Sequence, residues 1–328
     1  MKKVKLIALF LVVSIVVGIF AGCTSKKEKV IIYSCANDRR IAYMTQKLAE
    51  KFPEYDCVVE YQSTSKLSAK LLAEGKNTDC DIVHDLSYLN LDSLDNEGYL
   101  ANISDFDTSL FIDNASTSQN YTIEVNTAGG ILINADLMKE KKLEYPKSYE
   151  DLLKVEYKGL ISMPDPKASG TGYMFLKALV NEWGEEKAFE YFGKLSENIL
   201  QFTSSGNGPA NAVLQKEAAI GLGMIQNGVE MKDGGNNIDI VVFEEGAPFS
   251  NYGQTIIKGK ETKKAVKDVF QYLLTDYILD ESKEFGREKV FKDYDFTSEN
   301  YPKNVKLANM SGDTLEEKTR LLEMWSLT

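Results

Sequence analysis

Two short loops carry the residue types that could hold an anion. The first covers residues 168–172, the second residues 203–208, and each precedes a segment typical of a helix. The first-turn N–H groups of a helix lack an internal acceptor, and the helix dipole is positive there. Glycine allows close approach of a ligand, and hydroxyl groups add donors. The candidate binding residues of the two loops are Ser169, Gly170, Thr171, Ser204, Ser205 and Gly206.

This pattern suits a phosphate, phosphonate, carboxylate or carbonate group. The alternative is a pair of ordinary helix caps joined to tight turns. Because both loops follow predicted strands in the same part of the chain, the pair favours a binding site more than either loop alone.

Catalytic patterns are missing from the sequence. It contains one histidine, His84, and no G-x-S-x-G, G-x-x-x-x-G-K-[ST] or G-x-G-x-x-G motif. These are the patterns of nucleophilic triads, phosphate loops and dinucleotide sites. We therefore expect no catalytic residue, no cofactor and no enzyme activity. His84 lies near a predicted strand end, where it either contacts a ligand or occupies the rim of a sheet.

Strands and helices are predicted to alternate. Strands at residues 30–34, 57–61 and 80–86 enclose helices at 40–52 and 65–74, which is a βαβαβ unit and implies a parallel sheet. Ligands of such sheets lie at the carboxyl ends of the strands. The carboxyl ends here are residues 34–38, 63–65 and 84–88.

The later chain continues this pattern. Strands are predicted at residues 121–125 and 130–134 around a flexible 126–129 segment. A capping box at residues 148–151 predicts the start of a helix. The charged tail after residue 280 is predicted to be mostly helical.

Charge and length restrict the function further. The chain has 328 residues, which suggests about two domains, and its formal net charge is -11. Such an acidic protein is a poor partner for nucleic acid. It also repels an anion at long range, so backbone amides and either Arg39 or Arg40 must attract the ligand locally. Arg40 is alternatively a solvent-facing residue of its helix.

The N-terminus has the pattern of a targeting signal. A basic start at residues 1–5 precedes an apolar run at 6–20, which is short for a membrane span. The run ends in Ala-Gly-Cys, which resembles a bacterial lipobox and predicts lipidation of Cys23 after removal of residues 1–22. An ordinary signal peptide with a chance cysteine is the alternative. Residues 23–29 would form a polar tether.

The remaining cysteines do not form a metal pattern. Cys35, Cys57 and Cys80 lie far apart in the sequence, and none belongs to a C-x-x-C pair. A disulfide between Cys57 and Cys80 is possible, but three buried thiols are favoured.

Several stretches in order resemble the extracellular solute-binding proteins of ABC importers, in the branch for ferric iron, phosphonates and sugar phosphates. The most specific is SYEDLLKVEYKGLISMPDPKASGTGY at residues 148–173. The other similar stretches are VIIYSCAND at 30–38, VNTAGGILINADLM at 125–138, LQKEAAIGLGM at 214–224 and FEEGAPFSNYGQTIIKG at 243–259.

The resemblance implies a periplasmic-binding-protein-like type II fold, an α/β architecture with mixed sheets flanked by helices and two hinge crossings. Lobe one would comprise residues 30–125 and 250–328, and lobe two residues 126–249. The ligand would lie between the lobes. The implied partners are a small anionic solute, the permease and ATPase subunits, and the membrane through the lipid anchor. A monomer on the extracytoplasmic face is expected.

The ligand class departs from the ferric branch. That branch binds iron with adjacent tyrosines, but Ile225, Gln226 and Asn227 occupy the matching positions here; Tyr173 and Tyr252 remain. A phosphorylated or phosphonate solute is therefore preferred. A ferric receptor, an exported phosphate-ester enzyme and a surface sensor are the alternatives. Besides the two loops, the candidate ligand-binding residues are Ser34, Asp38, Asp85, Glu245 and Tyr252.

Overall fold

The computed structural model describes residues 27–112, 118–286 and 290–327. The predicted signal peptide, the predicted lipidation site Cys23 and the first tether residues lie outside these ranges. Across the described ranges, no helix has both the length and the apolar character needed to span a bilayer.

Strands and helices alternate along most of the described chain, which confirms the α/β prediction. The strands are β1 (Glu28–Ser34), β2 (Tyr55–Tyr61), β3 (Ile82–Ser87), β4 (Thr122–Asn134), β5 (Ile161–Pro164), β6 (Ile199–Thr203), β7 (Ile220–Met224), β8 (Ile238–Val241) and β9 (Phe249–Ile256). The helices are α1 (Asp38–Lys51), α2 (Thr64–Glu74), α3 (Tyr88–Asn96), α4 (Ala135–Lys141), α5 (Gly170–Trp183), α6 (Glu185–Leu195), α7 (Gly208–Leu214), α8 (Ile225–Asp233), α9 (Lys264–Tyr272), α10 (Ile278–Phe285) and α11 (Leu315–Met324).

The nine described strands form one continuous hydrogen-bonded sheet through β4, and the part called the first sheet has the strand order β2-β1-β3-β9-β4. Strand β1 pairs in parallel with both β2 and β3, which confirms the predicted βαβαβ unit. Strand β9 returns from late in the sequence and pairs antiparallel with β3 and β4. The carboxyl ends of β1, β2 and β3 therefore lie at one edge of this sheet.

Strand β4 is continuous, and the predicted break at residues 126–129 is wrong. Its first part pairs with β9, and the part from Gly129 onwards pairs with β7 and β8. A Cβ atom at Gly129 would lie 2.9 Å from Pro248 and 3.0 Å from Phe175. This glycine therefore permits close packing along an extended strand, whereas the sequence suggested a flexible turn.

The second sheet contains β4, β7, β5 and β6 in that order, with β8 paired to β4. The chain enters it within β4 and returns to the first sheet between β8 and β9. These passages are the two crossings that the fold prediction required. Apolar residues of α1, α9 and β1 form a core against the first sheet, and those of α5, α6 and β5 form one against the second.

Two local predictions need correction. The residues after the capping box form a short 3-10 helix, Glu150–Leu153, because Lys154 has an extended backbone (φ -62°, ψ 136°). Ser148 Oγ does accept from the Asp151 N–H at 3.1 Å, but the Asp151 carboxylate accepts from Lys147 instead of closing the box.

The tail is less helical than predicted. Between α10 and α11, the described residues 290–314 form mainly turns and irregular backbone. Helix α11 then packs against α3 and α5. It brings Trp325 to the core of the second sheet, beside Phe192 and Phe202. The tail assigned to lobe one by the sequence thus contacts both sheets.

Candidate ligand-binding cleft

A cleft lies at the carboxyl ends of the parallel strands, the usual ligand position in open α/β sheets. Residues from both sheets form its walls. Those from the segments around the first sheet are Cys35, Asn37, Arg40, Tyr61, Ser63, Thr64, Asp85, Thr127 and Tyr252; those around the second are Ser169, Thr171, Ser205, Gly206, Asn207, Met224, Gln226, Asn227 and Glu230.

Two helices begin at this cleft with an N-cap serine. Ser63 precedes α2 and Ser169 precedes α5, and neither side chain makes a capping hydrogen bond. Both residues are buried, and Ser63 Oγ has no hydrogen-bond partner within the described part of the chain. The hydroxyl groups, together with the first-turn N–H groups, are therefore donors suited to an anion.

The two glycine-containing loops meet beside these helix starts. A Cβ atom at Gly206 would lie 2.3 Å from Thr171 Oγ1 and 3.2 Å from Ser169 Oγ. Across the cleft, Tyr61 Oη lies 2.5 Å from Ser205 Oγ. Burial raises the pKa of Tyr61, so it remains a neutral phenol near pH 7. The two loops therefore form a hydroxyl-lined wall, and Tyr61 of β2 contacts it from the opposite side of the cleft.

Gly206→Ala is expected to lower the free energy of unfolding by about 1–3 kcal/mol, because the new methyl group overlaps Thr171 and forces the loops apart. Urea unfolding followed by circular dichroism measures the loss. Gly193→Ala is the matched control. Gly193 lies within α6 with nothing inside 4 Å of a new Cβ, so alanine there should stabilise by about 0.5–1 kcal/mol. If both substitutions stabilised the protein, the close approach of Gly206 to Thr171 would be contradicted.

Arg40 forms the charged floor of the cleft. Its Nη1 donates to Asp85 Oδ2 at 2.6 Å, and its Nε donates to Glu281 Oε1 at 2.5 Å. The residue is only 4% exposed, yet its Nη2 has no hydrogen-bond partner among the described residues. Burial lowers the pKa of the guanidinium, but the charges of Asp85 and Glu281 outweigh burial and raise that pKa overall. Arg40 is therefore a permanent buried cation with one N–H group to offer.

Asp85 reaches the cleft through an unusual backbone conformation. Its φ is +58°, in the left-handed region, where the pairing of β3 with β9 shifts register. Such a conformation costs on the order of 1–3 kcal/mol in a non-glycine residue and is found most often at functional sites. In this conformation, the Asp85 carboxylate accepts a hydrogen bond from Arg40 Nη1 at 2.6 Å.

The opposite wall is formed where α1 meets α8. Asn37 caps α1 by accepting from the Arg40 N–H at 3.0 Å, which fixes its side chain. Its Nδ2 donates to Glu230 Oε2 at 3.0 Å and to Asn227 Oδ1 at 3.4 Å. Asn227 in turn donates to Asn207 Oδ1 at 3.1 Å. This amide chain joins residues of the first-sheet side to residues of the second.

The structure brings most of the sequence-predicted site residues together. Those lining the cleft are Asp85, Ser169, Thr171, Ser205, Gly206 and Tyr252. Gly170 borders it, since its Cβ would lie 3.3 Å from Tyr252 Oη. Of the two arginines considered, Arg40 lines the cleft, whereas Arg39 is exposed and borders a neighbouring surface cavity.

Four predicted residues do not line the cleft. Ser34 is fully buried and bonds to His84 Nδ1 at 2.9 Å. Asp38 borders a neighbouring surface cavity, and Ser204 is exposed. Glu245 is close to Tyr149 and Tyr191; burial raises the pKa of both tyrosines, and the charge of Glu245 adds to this effect.

Several cleft residues were not among the sequence candidates. These are Cys35, Asn37, Tyr61, Ser63, Thr64, Thr127, Asn207, Met224, Gln226, Asn227 and Glu230. Cys35 and Asn37 lie in the predicted carboxyl end of β1, and Ser63 and Thr64 lie in that of β2, so the expected position of ligands in such sheets already pointed to these segments. The α8 residues have no local sequence signal of binding, because only the tertiary fold brings them to the cleft, where Glu230 contacts Asn37.

His84 belongs to a buried network behind the cleft. Its Nε2 lies 3.5 Å from Glu124 Oε1, and Gln254 donates to the same carboxylate at 2.9 Å. The sequence allowed His84 either to contact a ligand or to occupy the rim of a sheet. The structure therefore favours the position in the sheet. Within the described residues, no group of three His, Cys, Asp or Glu side chains is placed to hold a metal ion.

The three described cysteines, Cys35, Cys57 and Cys80, are free. Cys80 is buried as expected, whereas the other two are only partly buried. Burial raises the pKa of Cys35, and the charge of Asp85 adds to this effect, so the thiol in the cleft remains protonated.

Comparison with known proteins identifies the family. Residues 91–305 match the family model of bacterial extracellular solute-binding proteins, which covers more than half of the chain. The protein belongs to this family of extracytoplasmic receptors. As solute-binding proteins of ABC importers, they bind small ligands and deliver them to permease and ATPase subunits.

Several individual proteins are similar to this chain. An uncharacterized protein of Haemophilus influenzae is 27% identical over 330 residues, which cover 93% of this chain and 92% of that protein. The periplasmic binding protein P5PA is 23% identical with a TM-score of 0.78, covering 91% of this chain and 98% of that one. AfuA from Actinobacillus pleuropneumoniae, solved with fructose-6-phosphate bound, is 21% identical with a TM-score of 0.78. The match covers 92% of this chain and 98% of AfuA. A ferric binding protein from Campylobacter jejuni is 18% identical with a TM-score of 0.67. The match covers 90% of this chain and 98% of that protein. These structures share the fold.

Proposed function

We propose that this protein is the lipid-anchored receptor of an ABC importer and captures a small anionic solute, a phosphate ester or phosphonate, between two lobes. The lobes would comprise residues 30–125 with 250–328, and residues 126–249. The observation that carries the proposal is the meeting of two N-cap serines with the Arg40 guanidinium in one buried cleft. All three present donors to the same space.

The energetics favour an anionic ligand at this end of the cleft. A buried N–H or hydroxyl group without a partner costs about 1–3 kcal/mol, and more when charged. Arg40 Nη2 and Ser63 Oγ both lack a partner within the described chain. A phosphoryl or phosphonyl group offers three acceptor oxygens and negative charge, so it satisfies these donors and the first-turn amides of α2 and α5 together.

Contacts across the cleft support trapping by closure. Tyr61 meets Ser205, and Asn37 meets Asn227 and Glu230, which joins the two walls around the cavity. Opening would break these few polar contacts and bend the chain at β4 and before β9, which is the pattern of a hinge motion. Closure on the ligand would create the surface that the permease recognises.

The lipid anchor rests on Cys23 following Ala21 and Gly22. A diacylated cysteine would hold the soluble receptor at the extracytoplasmic face. Incorporation of labelled palmitate by the wild type, and its loss in Cys23→Ser, tests this part of the proposal.

A thermal-shift panel followed by titration calorimetry tests the function. The panel contains inorganic phosphate, glucose 6-phosphate, fructose 6-phosphate, glucosamine 6-phosphate, 2-aminoethylphosphonate, thiamine and ferric citrate. A true ligand at 100 times its Kd stabilises by about 2.7 kcal/mol, and binding should be stoichiometric without product release. A coloured complex with iron, with no shift from any phosphorus compound, would replace the ligand class by ferric iron. Sustained release of phosphate from an ester would make the protein an enzyme.

Ser63→Ala is expected to weaken binding of the phosphorus ligand found in that panel by roughly 10–100-fold, since one hydrogen bond to a charged group contributes about 1.5–3 kcal/mol. The free energy of unfolding should not fall, because the hydroxyl has no partner in the described chain. Calorimetry measures the first quantity and urea unfolding the second.

Ser162→Ala is the matched control. Ser162 Oγ is equally buried and has no partner in the described chain, but it lies in β5 outside the cleft. Its removal should leave both quantities unchanged. Equal affinity of Ser63→Ala and the wild type would remove Ser63 from the ligand site.

A further inference from the structure

Two buried carboxylates bind the Arg40 guanidinium, although one would neutralise it. Asp85 Oδ2 lies 2.6 Å from Arg40 Nη1, and Glu281 Oε1 lies 2.5 Å from Arg40 Nε. Asp85 lines the cleft, whereas Glu281 is fully buried behind the residues that line it. Burying a second carboxylate is costly, and its negative charge opposes the binding of an anion nearby. Charge balance therefore does not explain why Glu281 is present.

The two carboxylates contact different nitrogen atoms of one rigid group. A guanidinium is planar, and its five N–H groups point in fixed directions. A contact at Nη1 alone would let the plane turn about that contact. The second contact, at Nε, removes this freedom, so the direction of Nη2 is fixed as well. Arg40 Nη2 is the buried donor that has no hydrogen-bond partner within the described chain.

Helix α10 holds Glu281 in place beside α1, the helix that carries the arginine. One position before Glu281, Asp280 Oδ2 lies 3.1 Å from Lys47 Nζ of α1. Four positions after it, the Phe285 ring meets Tyr43 of α1 edge to face, with 5.5 Å between the ring centroids. A side chain that orients another must itself be held by its surroundings. These contacts on both sides of Glu281 meet that requirement.

We infer that Glu281 is a positioning residue of the anion site, which fixes the Arg40 guanidinium so that Nη2 faces the cleft before the solute arrives. This inference rests on the proposed function and adds to it a residue that does not touch the solute. An arginine that is fixed in advance loses little side-chain entropy when a ligand binds. Without Glu281, the solute would have to immobilise the arginine itself, which would weaken binding by about 3–10-fold.

Two substitutions separate position from charge. Glu281→Asp keeps the charge but shortens the side chain by one methylene group, so the carboxylate withdraws from Arg40 Nε. Glu281→Gln removes the charge but keeps an acceptor oxygen at the same reach. We expect Glu281→Asp to bind the anion about 3–10-fold more weakly than the wild type, and Glu281→Gln to bind it as tightly or more tightly. A role through charge alone would leave Glu281→Asp equal to the wild type, and a purely structural role would change the stability of the variants but neither affinity.

Titration calorimetry of the full mature chain with inorganic phosphate, fructose 6-phosphate and methylphosphonate measures these affinities. Asp280→Asn is the control for charge, because Asp280 pairs with Lys47 and its side chain is 49% exposed. It should leave the affinities unchanged. The inference requires weaker binding by Glu281→Asp alone, and any other pattern overturns it while the proposed function stands. If the wild type binds none of the three probes, the proposed function fails and the inference fails with it.

The position of the Arg40 side chain can also be observed without a ligand. The chain has four arginines, so their Nε–H signals in a nitrogen-filtered NMR spectrum can be assigned individually. The buried contact with Glu281 should give Arg40 a slowly exchanging Nε–H signal in the wild type and in Glu281→Gln, and Glu281→Asp should lose it. The same spectra show whether each variant is folded. Weaker binding by Glu281→Asp with an unchanged Arg40 signal would contradict the positioning role.

Discussion

Arg40→Ala is expected to lower the free energy of unfolding by about 3–5 kcal/mol, because it leaves the Asp85 and Glu281 carboxylates buried without their shared cation. Urea unfolding followed by far-ultraviolet circular dichroism measures the loss. Arg39→Ala is the matched control, since the neighbouring side chain is 61% exposed. Its effect should stay within about 0.5 kcal/mol.

The charge argument can be separated from the loss of packing. Adding Glu281→Gln to Arg40→Ala removes one of the two stranded carboxylates, so the double variant should regain part of the stability. The gain should be at least about 1 kcal/mol if uncompensated charge is the cause. An Arg40→Ala variant no less stable than Arg39→Ala would show that the ion pairs contribute nothing to the fold.

Ligand binding should not recover with stability. The double variant still lacks the Nη2 group proposed to meet the anion, so its affinity for the phosphorus ligand should remain at least 100-fold below wild type. That loss corresponds to about 2.7 kcal/mol or more of binding free energy. Full recovery of affinity would place Arg40 in a structural role alone.

The wall lined by hydroxyl groups was predictable because its signals are local. A hydroxyl residue and glycine at a helix start are recognisable within a few positions, as at Ser169, Gly170 and Thr171. The alternation of strands and helices in the first sheet was predictable for the same reason. Side-chain spacing and β-branched runs report on secondary structure without knowledge of distant contacts.

The opposite wall was not predictable because it depends on contacts between distant segments. Asn37 and Glu230 are 193 positions apart in the sequence, and only the tertiary fold brings the start of α1 close to α8. Arg39 and Arg40 also show the limit: adjacent helix positions differ by about 100° around the axis, which decides which one is buried. The sequence alone does not show which of the two arginines faces the interior.

The insertion of β9 between β3 and β4 is similarly non-local. Its Gly253 approaches Thr122 so closely that a Cβ atom would lie 2.0 Å from the Thr122 carbonyl oxygen. Glycine is required there by a neighbour more than a hundred residues away. In the sequence, the same glycine is indistinguishable from one in a turn.

Trp325→Ala is expected to destabilise the whole protein by about 3–5 kcal/mol, although the residue is the fourth from the end of the sequence. Trp325 is 1% exposed, and its ring lies 5.4 Å from Phe192 and 6.0 Å from Phe202. Alanine would leave a cavity inside the core of the second sheet. Urea unfolding should show one transition at a lower midpoint, because the tail is part of that core.

Met324→Ala is the neighbouring control, with a side chain that is 44% exposed, and its cost should remain below about 1 kcal/mol. An early separate transition in Trp325→Ala would mean that the tail docks independently of the core. A single large shift of the midpoint would mean that the tail unfolds together with the core.

The tail also connects the two sheets. The segment before α11 supplies Asp313, which accepts hydrogen bonds from Tyr88 of α3 and Tyr173 of α5. Because those helices flank different sheets, a tail anchored by Trp325 would connect the two halves on either side of the cleft.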